Sequence, residues 1–277
     1  MAVHLTQTTT EADLEARQQT SPATARRAPG PAVAIVPAYN EQAAIGRVVG
    51  DLKEKAPGFD VVVIDDGSTD KTVERATAAG ATVIRLPFNL GIGGAMQTGY
   101  RYALENGYEF AVQVDGDGQH DVDELDQLVQ VMREDPTVDS VAGSRFLEKS
   151  SYKVPLARRT GIRLFSFMVS AITRQKVTDP TSGFRLVNRR GIELFARDYP
   201  IDYPEVEAIL MVHAHRLKMR EVAVHMHDRT GGRSSITRYL SVYYMVKVSL
   251  ALFVGLFRSR PVVEPGDPAP VEAEHNI

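Results

Sequence analysis

Four short apolar runs, VAIV (33–36), VVVI (61–64), ATVIRL (81–86) and FAVQV (110–114), constrain this chain more than any other feature. Each is rich in β-branched residues and bounded by turn signals, the pattern of strands covered on both faces. Between the runs the apolar spacing becomes helical. Ile45, Val48, Val49 and Leu52 follow the first run, Val73 to Ala79 the second, and Ala95 to Leu104 the third. Strand, helix and strand repeated in this way predict right-handed crossovers and an α/β fold with a mostly parallel sheet. Ligands of such sheets collect at the carboxyl ends of the strands. PAYNE (37–41), DDGSTD (65–70), NLGIGGAMQTG (89–99) and DGDGQH (115–120) all begin there.

The last of these loops is the most acidic. Asp115, Asp117, Asp121, Asp123 and Glu124 directly follow an apolar run, and such crowding of like charge needs an offset, which a divalent cation supplies. Two plainer explanations compete: Asp-Gly pairs make good turns, and Asp121 to Glu124 suit the first turn of a helix. An EF-hand loop fits poorly, because His120 stands where the sharp turn needs Gly, Asp126 where a bidentate Glu belongs, and a strand leads in. A cation on Asp115 and Asp117, with the Gln119 carbonyl as a third ligand, would keep positions free for substrate phosphates and stabilise a departing diphosphate. Gly91, Gly93 and Gly94 miss the G-x-G-x-x-G spacing, and no Lys-Ser/Thr pair makes a P-loop. Close helix packing or close backbone approach to a substrate is the inference they support. Asp65 and Asp66 could bind a ribose or a base edge, whereas helix capping would explain Ser68 or Asp70 better than two adjacent acids. His213 and His215 lie in an expected helix, where residues two apart share no face. His225 and His227, in an expected strand EVAVHMH, would share one and could bind a metal, though solvent-facing strand positions explain them equally well.

Net charge is −3, which names no partner, and there is no Cys, so disulfides and thiolate zinc sites are excluded and a reducing compartment suits the chain. Residues 1–31 carry no apolar run long enough for a signal peptide and are expected to be a disordered arm; residues 259–277, rich in Pro and acid, are expected to be a disordered tail. From about Val141 to Arg190 cations greatly outnumber acids and are interleaved with Phe165, Phe167, Met168 and Phe184. A solvated face is the plain explanation; phosphate is the partner this pattern favours.

PAYNE, VIDDGSTD, NLGIGGA, VDGDGQH, GSRF (143–146), DPTSGFR (179–185) and HDRTGGRSS (227–235) occur in the order found in glycosyltransferase family 2. The chain resembles that family over about 32–254, and its later motifs look most like the polyprenyl-phosphate branch that includes dolichol-phosphate mannose synthases. The resemblance implies a GT-A type fold over 32–236 and an inverting, metal-dependent transfer of a sugar from a nucleotide-diphosphate donor to a polyprenyl phosphate. It implies Asp115 and Asp117 as catalytic metal ligands for Mg²⁺ or Mn²⁺, with Gln119. Pro37, Ala38, Tyr39, Glu41, Asp65, Asp66, Gly91, Gly94, Asp115 and Gly116 would form the nucleotide-sugar pocket, with Arg229 and Ser234 closing a late loop over the diphosphate. Arg145 and Arg159, supported by Arg185, would hold the acceptor phosphate, and Asp179 would lie in the acceptor loop. Replacing Arg145 or Arg159 would then impair acceptor use and spare donor binding.

One departure from the dolichol-phosphate synthase pattern is useful. No array of transmembrane helices follows the expected catalytic domain; the one candidate, YLSVYYMVKVSLALFVGLF (239–257), carries Lys247 near its middle. As a helix at about 1.5 Å per residue it approaches a hydrocarbon core of roughly 30 Å, but a central Lys costs about 2.5–3.5 kcal/mol. A helix over 237–258 lying at the membrane surface or on a partner, including a second copy of the chain, is the expectation, with a single span left open. The chain is then a peripheral protein at the inner face of the cytoplasmic membrane, with no nucleic-acid partner. Transfer to a saccharide hydroxyl is the alternative within the enzyme class and needs a general base such as Asp179 or Asp202. A catalytically silent nucleotide-sugar binding or scaffold protein is the alternative from another class.

Overall fold

The first half of the chain alternates as its apolar spacing predicts. β1 (Ala32–Ala38) leads to α1 (Ile45–Lys55), β2 (Phe59–Asp65) to α2 (Thr72–Ala78), and β3 (Thr82–Arg85) to α3 (Gly91–Glu105). β4 (Phe110–Gln113) is followed by a 3-10 turn (Val122–Glu124) that runs into α4 (Leu125–Glu134). The second half adds β5 (Ser140–Ser144), α5 (Leu156–Thr173), β6 (Arg185–Asn188), α6 (Arg189–Arg197), α7 (Pro204–Ala214) and β7 (Met219–Ala223). This is a computed structural model in which residues 28, 30–147, 156–201 and 203–226 are described, 156–159 by their backbone alone. Nearly all of the expected N-terminal arm, the helix expected over 237–258 and the tail 259–277 lie outside them.

The seven strands of the described residues form one sheet in the order β3-β2-β1-β4-β6-β5-β7. β1 is parallel to β2 and β4, β2 to β3, and β5 to β7. β6 is the exception to the expected parallel sheet: it inserts antiparallel between β4 and β5 and sets Arg185 opposite Gln113. β3 also differs from expectation. As an edge strand it is only half-buried rather than covered on both faces. The strand expected over EVAVHMH begins earlier and stops at Ala223, short of His225.

Strand alternation sends side chains into two layers. Val33, Ile35, Val62 and Ile64 pack with α3, α5, α6 and α7 on one face, while Ala34, Val36, Val61 and Val63 pack with α1, α2 and α4 on the other. Glycine lets α3 approach closely. A Cβ on Gly99 would lie 2.2 Å from Cγ2 of Ile35, and one on Gly93 would lie 2.3 Å from the Pro200 carbonyl oxygen. Packing thus accounts for two glycines of the NLGIGGAMQTG segment. Gly99→Ala sets a helix-propensity gain of about 1 kcal/mol against overpacking of about 1–3 kcal/mol. Because Ile35 is fully buried and branched at the point of contact, the clash should prevail, and denaturant titration should show a net loss of stability. An unchanged or raised midpoint would contradict this packing.

Candidate active site at the carboxyl edge of the sheet

β1 pairs with β2 on one side and β4 on the other, so the crevice beyond their carboxyl ends is a topological switch point, where open α/β sheets bind ligands. Gly116 keeps this crevice narrow, since a Cβ there would lie 2.9 Å from the Pro37 carbonyl oxygen. Antiparallel β6 begins at the same edge, and β5 and β7 end there. The loops that the sequence placed along four strands therefore share their edge with the start of the DPTSGFR strand and the GSRF turn.

The PAYNE and DDGSTD loops are stitched together. Asn40, in the left-handed region at φ 55, donates its N–H to Ser68 Oγ at 2.9 Å and accepts the Thr69 N–H on its own Oδ1 at 2.9 Å. Asn tolerates that conformation better than most residues. The Glu41 N–H is bound by Thr72 Oγ1 at 2.9 Å and the Gln42 N–H by Asp70 Oδ2 at 3.2 Å. Pro37 and Ala38 are buried beneath this loop, Glu41 is half-buried and Tyr39 is exposed. Asp65 is fully buried, with the Ser68 N–H at 3.3 Å and Arg85 Nε at 3.5 Å. Asp66 accepts the N–H groups of Leu90 at 2.7 Å and Gly91 at 2.9 Å. Burial raises its pKa against the pull of these two donors. The structure thus gives Asp66 a definite task, tying the entry of α3 to β2. Gly91, at φ 80, has open space around it, whereas a Cβ on Gly94 would meet the Leu90 side chain at 2.6 Å.

In the acidic loop, Asp117 is buried and its Oδ1 accepts the Gln119 N–H at 3.0 Å, while the Asp115 side chain is 36% exposed toward the crevice. Gln119 is half-buried. Asp121 caps the 3-10 turn through the Asp123 N–H at 2.9 Å, so the acids after Gln119 begin the following helical segment as the dipole favours. His120, which the sequence reading met only as an obstacle to a calcium loop, is buried against Asp115: its Nδ1 accepts the Asp115 N–H at 3.0 Å.

Arg145 and Asp179 are brought together. Nε and NH2 of Arg145 reach the two carboxylate oxygens at 2.6 and 2.8 Å, the Arg145 N–H adds a bond at 3.1 Å, and NH2 also reaches Thr181 Oγ1 at 2.7 Å. The side chains are 7 and 0% exposed. Asp179 is the counter-ion of Arg145, and its two oxygens are shared between that guanidinium and Thr181. Glu221 backs the pair by accepting the N–H groups of Thr178 at 2.8 Å and Asp179 at 3.0 Å, and burial raises its pKa.

Arg185 is 3% exposed; NH2 donates to the Glu205 carbonyl at 3.2 Å, and its buried Nε has no hydrogen-bond partner among the described residues. Around it stand Gln113, whose Nε2 donates to Asp115 Oδ1 at 3.2 Å, and Tyr199, whose hydroxyl reaches Gln113 Oε1 at 3.4 Å. Glu205, in the first turn of α7, was missed in the sequence because an acid there reads as an ordinary helix start. It keeps part of its surface open yet is largely surrounded by protein. Burial raises its pKa, as does the Asp115 charge, against its own N–H, Arg185 and Arg145. Arg159 lies in the first turn of α5, where only the backbone is described. Arg229, Ser234, Asp202 and His227 lie outside the described residues.

The family model described as glycosyl transferase family 2 matches residues 33–195, more than half of the chain. A UDP-N-acetylglucosamine–dolichyl-phosphate N-acetylglucosaminyltransferase of Methanococcus voltae is 29% identical over 211 residues, 69% of this chain and 83% of the relative. An undecaprenyl-phosphate mannosyltransferase of Micrococcus luteus is 32% identical over 157 residues, 54% of this chain and 63% of the relative. Among solved structures, the glucosyl-3-phosphoglycerate synthase of Mycobacterium tuberculosis, crystallised with Mn²⁺, UDP and glucosyl-3-phosphoglycerate, shares the fold at a TM-score of 0.61 and 19% identity. That match covers 92% of this chain and 86% of the other.

Proposed function

The chain belongs to glycosyltransferase family 2 and has its GT-A fold, and from that premise we propose that it moves a sugar from a nucleoside-diphosphate donor to a polyprenyl phosphate, with inversion and with a divalent cation. The observation that carries this reading is the placement of Asp115 and Asp117 at the β1–β4 crevice, in a chain whose relatives are named for transfer to dolichyl and undecaprenyl phosphate.

The residues present fit a cation. Their donors are hard oxygens, Gly116 and Gly118 keep side chains out of the loop, and Asp115 opens to the crevice. Asp115, Asp117 and the Gln119 carbonyl would supply part of a coordination shell and leave positions for phosphate oxygens, as suits Mg²⁺ or Mn²⁺. Held by Asp115, Asp117 and Gln119, such an ion would neutralise the charge that the leaving diphosphate develops. Tyr39 is exposed beside the crevice and is proposed for the nucleotide base, with Asp65 and Asp66, buried behind it, shaping that side through the loops they hold; Arg185, buried on the other side, is proposed to support the acceptor phosphate. A phosphate acceptor is already anionic and asks little of a general base, which agrees with Asp179 being locked to Arg145. Arg159 is retained in the proposal as a second cation for the acceptor phosphate, and Arg229 with Ser234 as the closing loop. No helix among the described residues is long and apolar enough to cross a membrane; the segment 239–257 is proposed to bring the enzyme to the surface where its acceptor resides.

One observation favours a second reading. Glu205, a half-buried carboxyl whose pKa is raised by burial and by the Asp115 charge, could serve as base for a saccharide hydroxyl. The purified full chain should be supplied with nucleotide sugars, with and without polyprenyl phosphate, and the product anomer read by proton NMR. We expect transfer only with the lipid phosphate, and a β-product from an α-linked donor. Because a general base contributes about 10²–10⁴-fold, Glu205→Gln should change this transfer by less than about tenfold. Efficient transfer to a sugar hydroxyl that collapses in Glu205→Gln would establish the second reading.

A further inference from the structure

The loop from Asp115 to His120 contains two glycines and few side chains that could hold it still. A cation ligand nevertheless has to be placed within about 0.5 Å. Something outside the loop's own backbone must supply that precision, and the one buried aromatic side chain in the loop is His120, whose side chain is 3% exposed.

Both ring nitrogens face the residue they would serve. Nδ1 accepts the Asp115 N–H at 3.0 Å, and Nε2 stands 3.4 Å from Asp115 Oδ2, a contact longer than a hydrogen bond. Acceptance at Nδ1 assigns the neutral tautomer with its proton on Nε2. In that state neither nitrogen has a lone pair to offer a cation, so His120 is not a ligand itself. The ring is gripped from elsewhere in the fold. It packs on Phe184, just before β6, with centroids 5.0 Å apart at 33°. The His120 backbone forms an isolated antiparallel bridge with Met226, beyond β7. Glu124 fixes the neighbouring His225, accepting its N–H at 3.2 Å and contacting Nδ1 at 2.8 Å. Segments distant in sequence therefore converge on His120, through its ring at Phe184 and its backbone at Met226, and its imidazole closes the loop on its own first residue.

We propose that His120 is a positioning residue: it fixes the main chain of Asp115, and with it the place from which the carboxylate reaches the cation, and thereby sets the affinity of the site. This rests on the metal reading above. Groups that hold a metal ligand from behind typically contribute about 10–100-fold in metal affinity.

The test compares two nearly isosteric replacements in the full chain. Asn at 120 can accept the Asp115 N–H through Oδ1; Leu fills similar space and cannot. Mn²⁺ binding in the presence of UDP, followed by electron paramagnetic resonance of the free ion, gives a readout independent of sugar transfer. Thermal melting reports folding. His120→Leu should raise the Mn²⁺ Kd about 10–100-fold, and His120→Asn should recover most of that loss. Wild-type affinity in a folded His120→Leu, or equal losses in folded Leu and Asn variants, would overturn the proposal. If His120→Leu does not melt cooperatively, His120→Asn decides alone: affinity near wild type supports the proposal, and a loss as large as that predicted for Leu overturns it. Asp115→Asn is the control. If Mn²⁺ binding survives that substitution, or wild type binds none, the metal reading falls and this inference with it. If Asp115→Asn abolishes binding while His120→Leu leaves it intact, only the role of His120 is wrong.

Discussion

Asp115→Asn and Asp117→Asn are expected to lower turnover by about a thousandfold each: a bound cation supplies several kcal/mol of charge stabilisation, and about 1.4 kcal/mol corresponds to one decade in rate. The fold should survive. The Asp115 N–H bonded to His120 belongs to the main chain, and the Asn at 117 can still accept the Gln119 N–H that Asp117 Oδ1 now takes at 3.0 Å. Melting temperatures close to wild type, with turnover lost, would separate a catalytic effect from unfolding. Full activity of the wild type in excess chelator would sink the metal requirement and the roles assigned to both aspartates.

Arg145→Ala and Asp179→Ala should act on stability before they act on any substrate. The pair is buried and bidentate, and removing one partner of such a pair costs about 3–5 kcal/mol because the other charge is left buried. For a fold of this size that is a fall of roughly 6–20 °C in melting temperature. Replacing both together with apolar residues of similar volume should recover much of the loss, since paired desolvation is then removed as well. Calorimetry of the two single variants and the double variant decides it. An Arg145→Ala protein that melts like wild type yet fails to use polyprenyl phosphate would restore Arg145 to the direct acceptor role that its motif suggested. Any kinetic test of the acceptor site is better begun at Arg185, whose Nε has no hydrogen-bond partner among the described residues, or at Arg159.

Much of the architecture was legible because local chemistry and the fold agree there. β-branched runs alternating with helical spacing carry β1 to β4 and the helices between them, and a parallel sheet places the loops after those strands on one edge regardless of packing detail. The acids of DGDGQH could be divided in advance, Asp115 and Asp117 toward the crevice and Asp121 onward toward a helix start, because turn geometry and the helix dipole act over a few residues. Close packing at Gly93 and Gly99 was likewise one of the readings their spacing allowed.

What lay beyond the sequence depends on contacts between distant segments. RLVN (185–188) has no long alternating pattern, and only its pairing with β4 and β5 makes it β6, reverses it within the sheet and puts Arg185 opposite Gln113. Arg145 and Asp179 look like two separate functional residues 34 positions apart; burial joins them, since neither charge could be desolvated without the other. His120 reads as an ill-fitting loop residue until Phe184 and Met226 close around it, and Glu205 as a routine first-turn acid until the fold turns it toward Asp115. The sequence by itself determined β1 to β4, the edge on which their loops gather and the oxygen chemistry of those loops. Only the tertiary structure decided which charges stay partly open, as Asp115 does, and which neutralise one another in the interior, as Arg145 and Asp179 do, because desolvation is set by what packs around a group and not by its place in the chain.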